Sequence, residues 1–445
     1  MAISPAREAA FDILLRIEQQ DAYASELLHS SQYSELSAAD HGLATELVMG
    51  VLRWRSLLDQ QIAQHSSQRL EKLDAEVLTA LRLAAYQLSF LDRIPERAAV
   101  HESVELVKRS RKHSAVPFAN AVLRKLAQAS AEKRSVTPAI RTGTISELAE
   151  SSAHPIWLVE RWSRCFGQNA AQQICEHNQS IPETAVRLAS SSIEKELALE
   201  NVVLAPGRLL ASARRVQSGD VTQTRSFREG RVSIQDEASQ LTALLVGKAS
   251  SILDCCAAPG GKTRILAGQN PEAMIVTVEL HPHRARLLRK LVPEKNVLVI
   301  AADVRQFPVS KLFERVLADV PCSGTGTLAR NPEIKWRLQP NDLLDLQARQ
   351  LAILQSAMKQ VTPGGRLIYS TCSLEPEENS AVVEKALAAD PSLHVLNGHV
   401  ELERLRAQGD LAWEDLDSLT MGSYLRTIPG MHPCDGFFAA ITEKV

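Results

Sequence analysis

The sequence predicts a multidomain chain: an N-terminal all-α bundle, a small α+β subdomain and a C-terminal α/β fold around a parallel sheet. Three observations predict it. Residues 1–130 place apolar side chains at helical spacing and show no strand-like alternation. Residues 128–147 turn polar, with Ser, Thr, Pro138 and Gly143, the composition of a linker. From residue 236 onward, short runs of Val, Ile and Leu alternate with helix-like segments, the pattern of βαβ units. The expected domains are 1–135, 146–235 and 236–445.

In 74–91, DAEVLTALRLAAYQLSFL, the positions Val77, Leu81, Ala84, Leu88 and Leu91 form one helical stripe. Leu43, Leu47, Val51 and Leu52 form another. Asp40 and Asp74 are candidate N-caps, and Pro95 and Pro117 punctuate the segment. About five to seven helices result, enough for a bundle. Residues 148–235 are mixed, with helices near 156–166 and 170–178 and strand-like pieces near 185–189 and 232–234. The runs SSILDCCA, AMIVTVE, NVLVIAAD, RVLADVPC and GRLIYSTCS then read as strands. Helices are expected at 282–292, 342–361 and 376–389. Such sheets bind ligands beyond the carboxyl ends of their strands. Residues that end these runs are therefore the first candidates for chemistry.

Composition narrows the class. With 445 residues, 45% hydrophobic and 23% charged, the chain is neither disordered nor fibrous. No apolar run approaches the roughly 20 residues of a membrane span, and the N-terminus has no signal-peptide pattern. Seven cysteines without regular spacing, and without CxxC, argue against a disulfide framework and a structural zinc site. A cytoplasmic protein without a metal is expected. The net charge of −2 leaves nucleic-acid binding to clustered basic residues.

The first strand runs into DCCAAPGGKT at 254–263. A phosphate-binding loop, GxxxxGK(S/T), would need Gly at 256, where Cys256 stands. A dinucleotide fingerprint would need GxGxxG. An S-adenosylmethionine loop needs a tight Gly turn, here Gly260–Gly261, without a pyrophosphate cradle. Glu279 ends the second strand at the distance where a carboxylate accepts both ribose hydroxyls. Asp303 ends the third, within reach of an adenine amino group. A solvated strand-end carboxylate is the plain alternative for each, but three successive strand ends carry the expected group.

Two further strands end in ADVPCSGTG and IYSTCS, presenting Cys322 and Cys372 among small turn-forming residues. Buried free cysteines usually sit among apolar neighbours instead, as expected of Cys165, Cys175 and one of the adjacent pair Cys255–Cys256. Cytosine C5 is a poor nucleophile. A thiolate that adds to C6 makes the ring an enamine, and C5 then attacks an electrophilic methyl group. A second thiol or base near C5 helps the adduct break down. Two thiols in one cleft suit that chemistry. Asp319 is placed to hold the base edge or an amino group, and Lys262 to meet a carboxylate or the base; a surface charge is the plain alternative for both.

These residues carry a family signature. The chain resembles the RNA cytosine-C5 methyltransferases of the NOL1/NOP2/Sun family, in their bacterial RsmB (Fmu or Sun) type. The matching pieces are DCCAAPGGKT, Glu279 and Asp303, ADVPCSGTG with RNPEIKW at 330–336, STCSLEPEEN at 370–379 and DGFFAA at 435–440. RVSIQDEASQL at 231–241 resembles the segment leading into the catalytic fold. ATELVMGVLRWR at 44–55 and FANAVLRKL at 118–126 resemble a NusB-type RNA-binding domain. The resemblance implies a Rossmann-like S-adenosylmethionine-dependent methyltransferase fold acting on 16S ribosomal RNA at cytosine 967. It implies Cys372 as nucleophile and Cys322 as the group that assists release. It implies that Cys256, Ala257, Ala258, Pro259, Gly260, Gly261, Lys262, Glu279, Asp303 and Asp319 hold the cofactor. Glu279 stands where many relatives have Asp; both chelate a ribose.

A thiolate cannot reach C6 of a stacked, paired base, so the target must lie in a loop or be flipped out. Lys108, Arg109, Arg111 and Lys112 in KRSRKH, and Arg330, Lys335 and Arg337 after the catalytic loop, are the candidate phosphate contacts. A solvated helix face is the plain alternative for the first group. No sign of oligomerisation appears, and a monomer is expected. A transfer-RNA methyltransferase shares the chemistry but need not carry the helical N-terminus. A DNA cytosine methyltransferase uses the Pro-Cys thiol as nucleophile and lacks the second cysteine. A non-catalytic RNA-binding factor has no use for either thiol.

Overall fold

The computed structural model describes residues 3–20, 22–132, 139–306 and 311–445. Two compact units emerge: Met1–Ile181 with Leu328–Arg337, and Pro182–Thr327 with Leu338–Val445.

The first unit is helical. Its elements are α1 (Pro5–Gln20), α2 (Ala24–Leu28), α3 (Ala38–His65), α4 (Ala75–Phe90), α5 (Glu96–Arg109), α6 (Val116–Glu132), α7 (Ile145–Ser151), α8 (Ile156–Phe166) and α9 (Gln168–Gln179). The periodic apolar positions meet in one core. Phe11 and Ile13 from α1, Leu47, Leu58 and Ile62 from α3, and Leu81 and Leu83 from α4 are essentially inaccessible. Each such side chain stabilises the fold by about 1.5–3 kcal/mol. The caps differ from the expected ones. Ser37, not Asp40, caps α3: its Oγ accepts from the Asp40 N–H at 3.1 Å. Asp74 precedes α4 but makes no capping bond and pairs with Lys112 at 3.2 Å instead.

The expected linker, 128–147, includes 133–138, which lie outside the described residues. The small α+β subdomain expected over 146–235 is divided between the two units. Its helices α7 and α9 pack on α3, and α8 packs on both of them, burying Leu158, Val159 and Trp162. Its strands belong to the second unit.

Those strands, β1 (Ala185–Leu188), β2 (Val203–Pro206), β3 (Ala213–Ser218) and β4 (Val232–Ile234), form an antiparallel sheet in the order β2-β3-β1-β4. The large sheet contains β5 (Ser251–Asp254), β6 (Met274–Glu279), β7 (Val297–Ala301), β8 (Phe313–Asp319), β9 (Val361–Thr371), β10 (Leu393–Val395), β11 (Thr420–Met421), β12 (Tyr424–Thr427) and β13 (Phe437–Lys444). Its order is β11-β12-β13-β9-β8-β5-β6-β7, with β10 also on β13. The five strands from β9 to β7 are parallel; β13 pairs antiparallel with β9, and β12 antiparallel with β13. Parallel strands buried on both faces explain the unbroken apolar runs of the sequence. Ile252, Leu253, Ile275, Val316, Leu317, Leu367 and Ile368 supply the packed layers. The parallel direction brings the ends of β5, β6, β7, β8 and β9 to one edge. Among the described residues, no helix is long and apolar enough to cross a membrane.

Candidate active site

β5 ends at Asp254, and the chain turns through Cys255–Gly260 into a helix, Gly261–Gln269. The turn is pinned to both neighbouring strands. The Cys255 N–H donates to the Leu317 carbonyl at 2.8 Å, and the Ala257 N–H to that of Val278 at 3.1 Å. Gly260 has φ +111°, and a Cβ there would lie 2.4 Å from Val292 and 2.7 Å from Leu288. Only glycine fits. Pro259 forms the exposed crest, and the Ala258 carbonyl accepts from Arg284 at 3.4 Å. Cys255 packs in the core beneath the loop, and Cys256 is half-buried. Burial pushes both thiols above their usual range, which disfavours the thiolate form.

Carboxylates line the strand ends. Asp254 Oδ2 accepts from Thr263 Oγ1 at 2.7 Å, while its buried Oδ1 has no partner. Burial raises this carboxyl to about 6. Buried Glu279 accepts the His281 N–H on Oε1 at 3.0 Å. Asp303 receives both ends of the Arg305 guanidinium, at 2.6–3.0 Å, and those hydrogen bonds hold its carboxyl below the usual range. A ligand amine at Asp303 competes with that pair. Asp319 Oδ2 lies 2.7 Å from Lys262 Nζ, and its Oδ1 accepts from Ser370 Oγ at 2.8 Å. Burial works against the Lys262 ammonium, but the charge of Asp319 and their hydrogen bond prevail and raise it. The Lys262 amine also stands 5.2 Å from the centre of the Phe437 ring.

S-adenosylmethionine presents a sulfonium cation, an amino group, a carboxylate and a ribose diol. The orphaned Oδ1 of Asp254 fits a ligand that brings hydrogen-bond donors, since a buried unpaired carboxylate oxygen is costly. Glu279 suits the diol, Asp254 or Asp319 the amino group, and Lys262 the carboxylate. Sequence reasoning does not single out Asp254 within DCCAAPGGKT. Its position as the last residue of the first strand was the available signal.

The two cysteines singled out in the sequence come together. Cys322 Sγ and Cys372 Sγ are 3.3 Å apart, in contact, and both are half-buried free thiols. The hydrogen bond with Cys372 and burial push the Cys322 thiol well above its usual range. The loops that carry them are stitched together. The Gly326 N–H donates to the Cys372 carbonyl at 2.9 Å, the Gly436 N–H to that of Gly326 at 2.8 Å, and the Leu374 N–H to Thr325 Oγ1 at 2.9 Å. Glu378, fully buried, accepts from Ser323 and Ser373. Sequence reasoning did not single it out; it is one of three glutamates in LEPEEN.

The basic candidates all belong to the helical unit. Lys108 pairs with Glu105 at 2.6 Å, and Arg109 with Glu8 at 2.8 Å and Asp12 at 3.0 Å. Lys112 bridges Asp74 and Glu76. Arg111 is exposed, in a left-handed turn. Arg330, Lys335 and Arg337 belong to the helical unit. Arg330 is half-buried. Lys335 is only 1% exposed, and its amine donates to the Arg53 carbonyl at 2.9 Å. Arg337 donates to the carbonyls of Ile17 and Ala22 at 2.7 and 2.6 Å. The expectation that Lys335 meets RNA is therefore corrected, since its amine is enclosed in internal packing; Arg337 is half-buried.

Known proteins share this architecture. Residues 241–442 match the family described as 16S rRNA methyltransferase RsmB/F, and residues 4–128 match the NusB family. A Bacillus subtilis protein named "Probable ribosomal RNA small subunit methyltransferase B" is 31% identical, covering 98% of each chain. The ribosomal RNA small subunit methyltransferase B of Vibrio cholerae is 32% identical over 98% of this chain and 97% of its own. The solved structure of PH0851 has the same fold, at a TM-score of 0.78 and 23% identity, covering all of both chains. With full-length identity at this level and both domains matched, the chain belongs to the RsmB/F family of S-adenosylmethionine-dependent rRNA methyltransferases, with a NusB family domain at its N-terminus.

Proposed function

We propose that the protein methylates C5 of a cytosine in 16S ribosomal RNA, at position 967, through a covalent bond between Cys372 and C6. The observation that carries this reading is the contact of two half-buried thiols, 3.3 Å apart, beside the cofactor loop's lysine. S-adenosylmethionine supplies an electrophilic methyl group on a sulfonium sulfur. Cys372 attacks C6, and the C5=C6 electrons move to C5, which takes the methyl group. The C5 proton then leaves to a base, the C5=C6 bond re-forms and the C6–S bond breaks. Cys322, on the partner loop, assists that release. Lys262 and Asp319, paired at the mouth of the loop, orient the cofactor and the base edge. The target base leaves its stack to reach the thiol. We place the enzyme in the cytoplasm, as a monomer on small-subunit RNA.

Methyl transfer to separate pools of small-subunit ribosomal RNA and transfer RNA, with bisulfite mapping, tests the substrate. One new 5-methylcytosine in the ribosomal RNA is expected. Methylation confined to transfer RNA would overturn the substrate and keep the chemistry. Cys372→Ala is expected to abolish transfer; a protein that only binds RNA would be untouched. Cys322→Ala is expected to accumulate a protein–RNA species that survives a denaturing gel. Absence of that band, with wild type active, would remove Cys322 from the release step.

A further inference from the structure

Glu378, in the LEPEEN turn, has carboxylate oxygens that both accept hydrogen bonds from the cysteine loops. It is fully buried. A buried carboxylate ordinarily needs a cation or a full set of hydrogen bonds. Here the hydrogen bonds do it. Oε1 accepts from the Ser323 N–H at 2.8 Å and from Gln350 Nε2 at 2.8 Å. Oε2 accepts from the hydroxyls of Ser323 and Ser373. Gln350 Nε2 also donates to the Pro321 carbonyl at 2.9 Å. Ser323 follows Cys322 and Pro321 precedes it; Ser373 follows Cys372. The carboxylate thus fastens the residue after each thiol, and Gln350 ties it to the residue before the first. The Glu378 carbonyl is fixed in turn by the buried Tyr369 hydroxyl at 2.6 Å.

We propose that Glu378 is a positioning residue for the thiol pair: its carboxylate clasps the Cys322 loop to the end of β9 and holds the two sulfurs in contact. The proposal rests on the two-thiol reading for its catalytic meaning, but the geometry can be tested without RNA or cofactor. A purely structural carboxylate would contribute to melting temperature alone. A clasp also sets the encounter of the two sulfurs.

The probe is diamide, a diazene that takes two hydrogens from a pair of thiols, becomes the hydrazine and leaves a disulfide. Sulfurs 3.3 Å apart need to close to about 2.05 Å. On the full-length protein, peptide mass spectrometry follows formation of the Cys322–Cys372 link and, as an internal reference, alkylation of exposed Cys165. Glu378→Gln, nearly the same shape, is expected to slow the link about tenfold or more, because small displacements strongly reduce effective concentration. Cys165 alkylation and circular dichroism should stay as in wild type. A link that forms at the wild-type rate in the folded variant overturns the proposal. If Glu378→Gln fails to fold, Ser323→Ala decides: it removes a hydroxyl donor and keeps the carboxylate, and an unchanged linking rate overturns the clasp. In the methylation assay, Glu378→Gln should raise the ratio of trapped adduct to product while leaving KM for RNA unchanged. If wild type methylates neither RNA pool, the functional reading fails while the linking assay still decides the clasp.

Discussion

Asp254 carries a titration that the stability of the catalytic fold should report. Burial raises its carboxyl from 3.8 to about 6. Between those values the native state keeps a proton that the unfolded chain has lost. The contribution is therefore fully present below pH 3.8 and is lost as pH rises through about 6. Its size is about 3 kcal/mol across that window. Asp254→Asn should flatten this part of the pH dependence, as read from urea midpoints between pH 4 and 7; an unchanged slope would place the titration elsewhere. The thiols and the Lys262, Asp319 and Glu279 set were legible in the sequence because strand-end logic puts them on one edge. Their pairings were not. Nothing in the spacing says that Lys262 finds Asp319 57 positions on, or that Arg305 claims Asp303. Nor does a run of glutamates say that Glu378 is buried while Glu377 is half-exposed.

At the scale of elements, close backbone approach holds the cysteine loops together. A Cβ on Gly326 would fall 2.2 Å from the Gly436 carbonyl oxygen and 2.8 Å from that of Cys372. These are backbone atoms and cannot step aside. Gly326→Ala is expected to lower stability by about 1–3 kcal/mol and to abolish methyl transfer, as measured by denaturant melts and the RNA assay. Gly42 gives the opposite case. It lies within α3, and a Cβ there meets nothing. Gly42→Ala should stabilise the helical unit by about 0.5–1 kcal/mol in the same melts. The helices were readable from their period, and the parallel strands from short unbroken apolar runs between helices. The allegiance of α7–α9 was not: a polar stretch before them suggested a boundary, whereas Trp162 and its neighbours bury themselves in the helical unit. Apolar periodicity announces that a face is buried and is silent on which partner buries it.

For the molecule as a whole, the small net charge conceals how the cations are used. Arg7, Arg82, Arg109 and Lys112 are all committed to carboxylates inside the helical unit. Lys335 is committed to packing: burial drives its amine well below the usual range. Its acceptor, the Arg53 carbonyl, also receives Gln179 Nε2 at 3.0 Å and so keeps a partner without it. Lys335→Met should change stability by less than about 1.5 kcal/mol and leave RNA affinity as it was. Lys335→Glu, which leaves an unpaired charge inside, should cost about 3 kcal/mol or more. Thermal melts and filter binding check both; a selective loss of RNA affinity in Lys335→Met would restore it as a phosphate contact.

The segment Leu328–Arg337 also sets a clock on biosynthesis. It is an integral part of the helical unit, where Glu333 receives the Ala24 N–H, Trp336 donates to Leu52 and Arg53 donates to Ala329. The rest of that unit is complete at Ile181. At about 5–20 residues per second, synthesis of the intervening chain takes roughly 7–30 s. Throughout that interval the nascent helices lack a piece of their own interior, and the helical unit acquires its final form only after the Cys322 loop has been made.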